Sequence, residues 1–264
     1  MAILQRMTIA FLTVAMLATG AVRAASTTNF SDNWYTENES GWGMLVQQQA
    51  DVLFIGLFVY GADNKPTWFT ATAFYQSNSV TGHVVFTGDL YLTNGTYYGA
   101  TWNPAALGYS KVGTLTFDAT TTNEATLTYT VDGTPVVKNV TRLLMRYENL
   151  SGKYYGSWIN DSCGGWSGSR LDEPITIDIA HNADNTVKMT FWNAVDPFYG
   201  GFYFSGTYSQ SGHMGTIVGS VDAPDRGSFT FAEIEKTTSG FTGRFDGVIN
   251  GCVKTNGRIA VARR

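Results

Sequence analysis

Two carboxylates near the start of the chain, Glu37 and Glu39, come closest to a catalytic pair in type and spacing. Glycoside hydrolysis needs two carboxyl groups at one cleft, one held protonated as the acid and the other ionised. Asp161 occupies the place of Glu37 in a second copy of the same pattern. Glu37 and Asp161 each lie in a polar loop, however, and we expect the acidic residue to cap that loop. A secreted hydrolase that acts on glycans through Glu37 and Glu39 is therefore an alternative function.

Other catalytic chemistry has weaker support in the sequence. His83, His181 and His213 fall in different segments, so their spacing does not predict a metal centre. Ser167 lies in a Gly-Trp-Ser-Gly-Ser run that lacks the second glycine of the Gly-x-Ser-x-Gly elbow. We expect neither a metal nor a cofactor, and an enzyme is the less favoured class.

Aromatic residues beside glycines are the strongest indication of binding. The candidates are Trp102, Tyr97 and Tyr98 in the first half, and Trp192, Tyr199 and Tyr203 in the second. Alternation along residues 186–192 puts Trp192 on the face of Lys188, opposite Phe191, and predicts that it points outward. Exposed rings stack on sugars or anchor protein partners. The competing interpretation is that many of them fill the core and the contact between the halves.

The elements that must position these residues occur twice in the chain. Trp34, Glu37, Gly41 and Trp42 recur in order and at equal spacing as Trp158, Asp161, Gly165 and Trp166. Two copies of about 110 residues are each large enough to bury a core, so the repeat predicts tandem domains and not a solenoid. We place the first domain at residues 25–148 and the second at 149–264.

Residues 1–24 resemble a signal peptide, with a basic start, an apolar run and small residues before Ala25. The run of about 16 uncharged residues is shorter than the roughly 20 that a membrane-spanning helix needs. Removal of Arg6 and Arg23 with this segment leaves 15 basic residues of the 17, against 21 acidic ones. An acidic exported protein, secreted or periplasmic, lacks the positive footprint that nucleic acid or an anionic membrane requires. We expect a small molecule, a glycan or a protein as partner, and no membrane span.

The composition and the turn residues predict an all-β fold. Charged residues make up 14%, aromatic residues also 14%, and there are 29 glycines. About eight strands are expected in each copy, including one near 96–102 and the next near 112–118. Hairpin turns are indicated at Asn94-Gly95, Asp132-Gly133, Asp246-Gly247, Asn250-Gly251 and Asn256-Gly257. Such an antiparallel meander closes into a barrel or folds over as a β-sandwich.

A Trp in the first strand and an Arg in the last strand of each copy favour the barrel. Closure makes these strands neighbours, so Arg142 can cover Trp34 and Arg258 can cover Trp158. This pattern resembles the calycins, the lipocalin and avidin superfamily, in which a Gly-x-Trp packs against a late Arg. Parity puts Arg142 on an inward face, whereas Arg258 shares its face with Lys254 unless a bulge at Gly257 resets the strand.

A second resemblance covers the start of the first copy. The segments Trp34-Tyr35, Ser40 to Gly43, Asp63 to Pro66 and Trp68 are similar to a W-[WY]-x4-SG-x-G module of exported bacterial proteins. Asn64 stands where that pattern usually has Gly. No activity is established for the module, so the resemblance implies a fold unit and no function.

The two cysteines both lie in the second copy. In an oxidising compartment Cys163 and Cys252 are expected to form a disulfide. It would close a loop of about 90 residues and stabilise the domain by roughly 3 to 5 kcal/mol.

These patterns predict an exported, non-enzymatic binding or interaction protein built from two barrels. The alternatives are the glycan hydrolase and a structural component of the cell envelope. An outer-membrane barrel fits less well, because the strands lack a steady lipid-facing alternation.

Overall fold

Alternation of buried and exposed side chains explains why most of the described chain is extended. Phe69, Ala71 and Ala73 are buried, whereas Trp68 and Thr72, between and beside them, are exposed. A period of two is that of a strand with one buried face. The structure, a computed structural model, describes residues 28–76, 82–161, 170–194 and 201–264. Its strands form two closed antiparallel barrels of eight strands each, which confirms the predicted fold class and favours the barrel over the sandwich.

The first barrel is a meander in which each strand pairs with the next one along the chain. Its strands are β1 (Asp32–Tyr35), β2 (Gly43–Gln49), β3 (Val52–Tyr60), β4 (Pro66–Tyr75), β5 (Val84–Asn94), β6 (Gly108–Ala119), β7 (Glu124–Val131) and β8 (Thr134–Arg142). Trp34, Phe86 and Phe117 are among its bulkiest buried side chains. Phe30, just before β1, packs its ring 5.6 Å from that of Phe117.

The second barrel repeats the same order of strands. They are β9 (Gly152–Asp161), β10 (Arg170–His181), β11 (Thr186–Asn193), β12 (Phe202–Ser211), β13 (Met214–Asp222), β14 (Gly227–Lys236), β15 (Gly240–Ile249) and β16 (Cys252–Arg263). Its core has a cluster of rings in which Trp158 lies 5.6 Å from Phe191 and 5.1 Å from Phe245. Aromatic pairs at this separation add stability beyond the burial of their area.

Two of the predicted hairpin pairs form tight turns. Asp132 and Gly133 join β7 to β8 with φ of 48° and 82°, and Asn250 and Gly251 join β15 to β16 with φ of 51° and 80°. Two consecutive residues with positive φ match the right-handed twist of the strands that they connect.

The other predicted pairs, and one predicted strand, are corrected by the structure. Asn94-Gly95 opens a long loop, and the segment 96–102, predicted as a strand, lies inside that loop. The pairs Asp246-Gly247 and Asn256-Gly257 lie within β15 and β16. There the backbone N–H of Asn256 donates to the Asp246 carboxylate at 2.8 Å, and the register between the strands shifts. These residues form a bulge and not a turn.

The first barrel closes where β1 pairs with β8 and Trp34 lies opposite Arg142. The guanidinium carbon of Arg142 is 4.8 Å from the centroid of the Trp34 ring, the contact that the sequence pattern predicts. The Arg142 side chain is fully buried and donates to Asp32 at 3.2 Å and to the carbonyl of Asn29 at 2.6 Å. The indole N–H of Trp34 donates to the carbonyl of Phe30 at 3.0 Å. This seam therefore joins a cation–π contact to satisfied hydrogen bonds.

The second barrel closes differently, and the contact predicted between Arg258 and Trp158 is not formed. Ile259 lies opposite Trp158, while Arg258 pairs with Glu233 at 3.3 Å. The Nζ of Lys254 lies 5.9 Å from the centroid of the Trp158 ring. The bulge at residue 256 is the physical reason. It puts Lys254 and Ile259 on the inner face and leaves Arg258 on the outer one.

The two barrels are joined by a short segment and a polar contact, and their strands form two separate sheets. His213, in the turn between β12 and β13, donates its backbone N–H to Asp32 at 3.0 Å, and its Nδ1 lies 2.8 Å from the same oxygen. Burial works to raise the pKa of Asp32, but the hydrogen bonds and charge of His213 outweigh it and lower the pKa. In the connecting segment, Tyr147 packs 5.5 Å from Tyr208 and Leu150 joins the second core.

Candidate functional site

A two-stranded ribbon carries β5 and β6 beyond the wall of the first barrel. β4 pairs with β5 only as far as Tyr91, whereas β5 and β6 stay paired as far as Asn94 opposite Gly108. On the other side, β7 first pairs with β6 at Leu115. The loop 95–107 is therefore held away from the barrel wall, at the tip of the ribbon.

Four aromatic rings on the ribbon and its loop are exposed. The exposed fractions are 95% for Tyr98, 74% for Tyr109, 65% for Trp102 and 64% for Tyr97. The rings of Tyr97 and Tyr98 lie 4.5 Å apart with planes tilted by 52°. Burial of a large apolar side chain stabilises a fold by about 1.5 to 3 kcal/mol, and these rings forgo most of that gain. Clustered exposed rings mark a contact surface.

Hydrogen bonds within the loop hold its backbone in place. The Thr96 hydroxyl donates to the carbonyl of Asn103 at 3.0 Å and accepts from its N–H at 2.9 Å. The Asn103 carboxamide caps a single 3-10 turn, Pro104–Ala106, by accepting from the N–H of Ala105. The Tyr97 ring lies against Gly99, where an added Cβ would come within 2.7 Å of it. A loop ordered in this way loses less freedom on binding.

The tip of the ribbon is also free of charge. Residues 92–110 contain no Asp, Glu, Lys, Arg or His. The nearest ion pair in sequence, Lys111 with Asp89 at 2.8 Å, lies at the base of the ribbon. The hydrogen bond to Asp89 raises the pKa of Lys111, so the lysine stays protonated at neutral pH. The tip thus offers rings, hydroxyls and amides to a neutral ligand.

The predicted binding residues divide between the two barrels. The structure places Tyr97, Tyr98 and Trp102 on one loop, where the rings of Tyr97 and Tyr98 are in contact. Trp192 and Tyr203 form a smaller pair on β11 and β12, with ring centroids 6.0 Å apart. Trp192 is half-buried and lies over Gly201, and Tyr203 is 37% exposed. Tyr199 and Cys163 lie outside the described residues, so the role of Tyr199 and the disulfide between Cys163 and Cys252 remain predictions.

Sequence interpretation missed Tyr109. It precedes the strand predicted at 112–118, and the structure starts β6 earlier, at Gly108. The signal that could have found it is the pattern used for the other candidates, a tyrosine directly beside a glycine.

The structure gives the two carboxylates of the hydrolase alternative different surroundings. Glu39 accepts from Lys138 Nζ at 2.6 Å and from the Trp42 indole N–H at 2.9 Å. These hydrogen bonds, that of Lys138 first, hold the pKa of Glu39 below its usual value, so the group is a poor general acid. Glu37 lines an open groove of about 500 Å³ with Glu124, and Glu39 is not among the described residues that line it.

The residues that carry the resemblance to the exported bacterial module include two with positive φ. Gly41 has φ of 104°, and an added Cβ there would lie 3.4 Å from the Tyr60 ring. Asn64 adopts φ of 60°, a conformation that Asn tolerates better than most residues. Both residues therefore have a structural role in the turns of the first barrel.

Comparison with known proteins leaves the chain without an assigned family. A scan against protein-family models gives no match, and a search of the curated proteins gives no significant match either.

Over the described ranges, no group of three or more His, Cys, Asp or Glu residues could hold a metal ion. Within the same part of the chain, no helix has the length and apolar character that crossing a membrane requires.

Proposed function

We propose that this protein is an exported, non-enzymatic binding protein that recognises neutral glycan chains through the tip of the β5–β6 ribbon. The observation that carries the proposal is the set of four exposed rings, three of them (Tyr97, Tyr98 and Trp102) on a loop that its own hydrogen bonds order and the fourth (Tyr109) at the start of β6.

The chemistry of the tip suits a sugar better than a charged ligand. A pyranose ring has an apolar C–H face, which packs on aromatic rings, and an edge of hydroxyls, which needs hydrogen-bond partners. Thr96 precedes Tyr97 and Asn103 follows Trp102 in the chain, where their hydrogen bonds hold the loop, and residues 92–110 carry no charge. An ordered loop keeps these groups in position before the ligand arrives.

Titration calorimetry with a panel of soluble neutral oligosaccharides tests this proposal. We expect saturable binding that Trp102→Ala weakens by at least about tenfold, the equivalent of roughly 1.4 kcal/mol. Tyr155→Ala is the matched control, because Tyr155 is 54% exposed but lies on the second barrel. Trp192→Ala reports whether the ring pair on that barrel contributes. Wild-type protein that binds none of the panel, or Trp102→Ala protein that binds as wild type, would contradict the proposal.

Export of the protein and its relation to a known superfamily are also part of this proposal. The signal-like residues 1–24 support export to the periplasm or the medium, with a mature chain that begins at Ala25. The eight-stranded barrels and the contact between Trp34 and Arg142 support a relation to the calycins.

Two alternative functions remain predictions. Glycan hydrolysis draws on the groove that holds Glu37 and Glu124, although Glu39 is engaged elsewhere. A structural role in the envelope would leave the ribbon without a soluble ligand.

A further inference from the structure

The outer face of β2, β3 and β4 carries an apolar patch that the barrel itself does not cover. Six side chains on it are 47% to 57% exposed: Leu45, Phe54, Phe58, Tyr60, Trp68 and Phe74. Phe58 lies directly opposite Trp68 across the β3–β4 pair, and Leu45 lies opposite Gly56. We call these six residues the outer apolar face.

The outer apolar face has the layout of a protein interface. The other outward positions of the three strands hold only uncharged residues: Gly43, Gln47, Gln49, Val52, Gly56, Pro66, Thr70 and Thr72. Charge begins at the rim, with the ion pairs Asp63–Lys65 and Asp89–Lys111 and with Asp51 in the β2–β3 turn. An apolar, aromatic centre without charge and a polar rim are characteristic of surfaces that bind proteins.

The geometry points to a second copy of this chain as the occupant: we propose that two copies pack face to face through the outer apolar face. Six half-exposed side chains at about 100 Å² each give roughly 600 Å² per copy. The pair would bury about 1,200 Å², the lower end of what specific, stable complexes bury.

Three features favour a second copy over other occupants. The barrel is closed, so its wall offers no full-length strand edge within the described residues, and association through a face is favoured. The Phe58 ring covers Gly56, within 3.7 Å of where a Cβ of that residue would be. The ring fills the gap that the missing side chain leaves, so the centre of the face is flat enough to pack against another sheet. Four of the five rim charges named above are paired as acid with lysine, so two copies related by a two-fold axis can approach with little repulsion.

Sedimentation equilibrium of the purified protein tests the proposal. We expect a dimer with a dissociation constant in roughly the micromolar range. Trp68→Glu puts a charge in the centre of the face on both copies, and should raise the dissociation constant by at least about 100-fold. Thr72→Glu adds a charge beside Phe54 without removing a ring, and should act in the same direction. Tyr98→Glu, the same kind of change on the ribbon, should leave the dimer intact.

Each result decides for or against the dimer. A wild-type protein that stays monomeric at about 100 µM, or a dimer that survives both Trp68→Glu and Thr72→Glu, overturns it. A monomer that binds lipid vesicles or a polysaccharide through this face overturns it as well, since the occupant is then not a second copy. Thr72→Glu keeps the test valid if Trp68→Glu fails to fold, with circular dichroism as the check. Glycan binding at the ribbon is measured separately, so the two proposals can fail independently.

Discussion

In the first barrel the closing strands meet over a buried arginine, whereas in the second the corresponding arginine lies on the outer side and is partly exposed. The Arg142 side chain has 0% exposure and lies on Trp34, and the Arg258 side chain has 39% exposure and pairs with Glu233. The two copies start from equivalent residue types, and a single bulge in β16 separates their outcomes. An arginine at an equivalent place in a repeat therefore does not guarantee an equivalent contact.

The ends of the barrels show the same divergence. In the first barrel the N–H of Phe30 donates to the Gln48 side chain at 2.7 Å. In the second, the N–H of Leu150 donates to Nδ1 of His181 at 3.2 Å. Each contact holds the residue two positions before the first strand of its barrel, but only the second uses a histidine, the side chain whose ordinary pKa lies closest to neutral. The two copies thus share a fold, but this contact is expected to make the stability of the second barrel depend on pH.

The largest expected difference between the barrels lies in their arginines. Arg142→Ala removes the partner of buried Asp32 and should lower the free energy of unfolding by about 3 to 5 kcal/mol. Arg258→Ala removes a partly exposed partner of Glu233, which keeps Arg244 at 3.8 Å, and should cost about 1 kcal/mol or less. Urea denaturation of both variants measures the contrast. Equal losses of unfolding free energy in the two variants would contradict the proposed difference between the two barrel closures.

Acid should act on the second barrel through His181. Burial lowers the pKa of His181 from its ordinary value of 6.5, and its Nδ1 accepts a hydrogen bond. Below pH 6.5 the unfolded chain takes up a proton that the folded chain does not, so stability is lost as the pH falls through this range. His181→Gln reproduces the acceptor that Gln48 provides in the first barrel.

Thermal unfolding between neutral pH and pH 5 compares this variant with wild type. Because the two proteins differ only at residue 181, the difference between the two curves reports His181. Parallel curves would show that His181 contributes nothing to the pH dependence.

The smallest contrast concerns the two buried tryptophans. Trp34 donates from Nε1 to Phe30, whereas the buried Nε1 of Trp158 has no hydrogen-bond partner among the residues that the structure describes. Trp34→Phe should therefore cost about 1 kcal/mol more than Trp158→Phe, the contribution of one hydrogen bond. Chemical denaturation of the two variants gives the values. A larger loss for Trp158→Phe would indicate that its N–H is satisfied in solution.

The fold and the first seam could be predicted from local pattern, because strand period, turn residues and the parity of Arg142 are all properties of short segments. The outward position of Arg258 follows from the same local alternation, but the contact of Lys254 with Trp158 could not be predicted, since it depends on a bulge that β15 and β16 form together. The outer apolar face could not be predicted from the sequence either. Residues 52–58 are apolar on both faces, and such a run indicates a strand buried on both sides. Only the closed barrel shows which of these side chains remain outside.

The central claim, that the ribbon tip is the binding site, is tested most directly by mapping amide chemical shifts during titration with a neutral oligosaccharide. We predict that the shifts that change concentrate in residues 92–110 and disappear with Trp102→Ala, while the second barrel stays unperturbed. Changes confined to the second barrel, or to the groove around Glu37 and Glu124, would contradict the account.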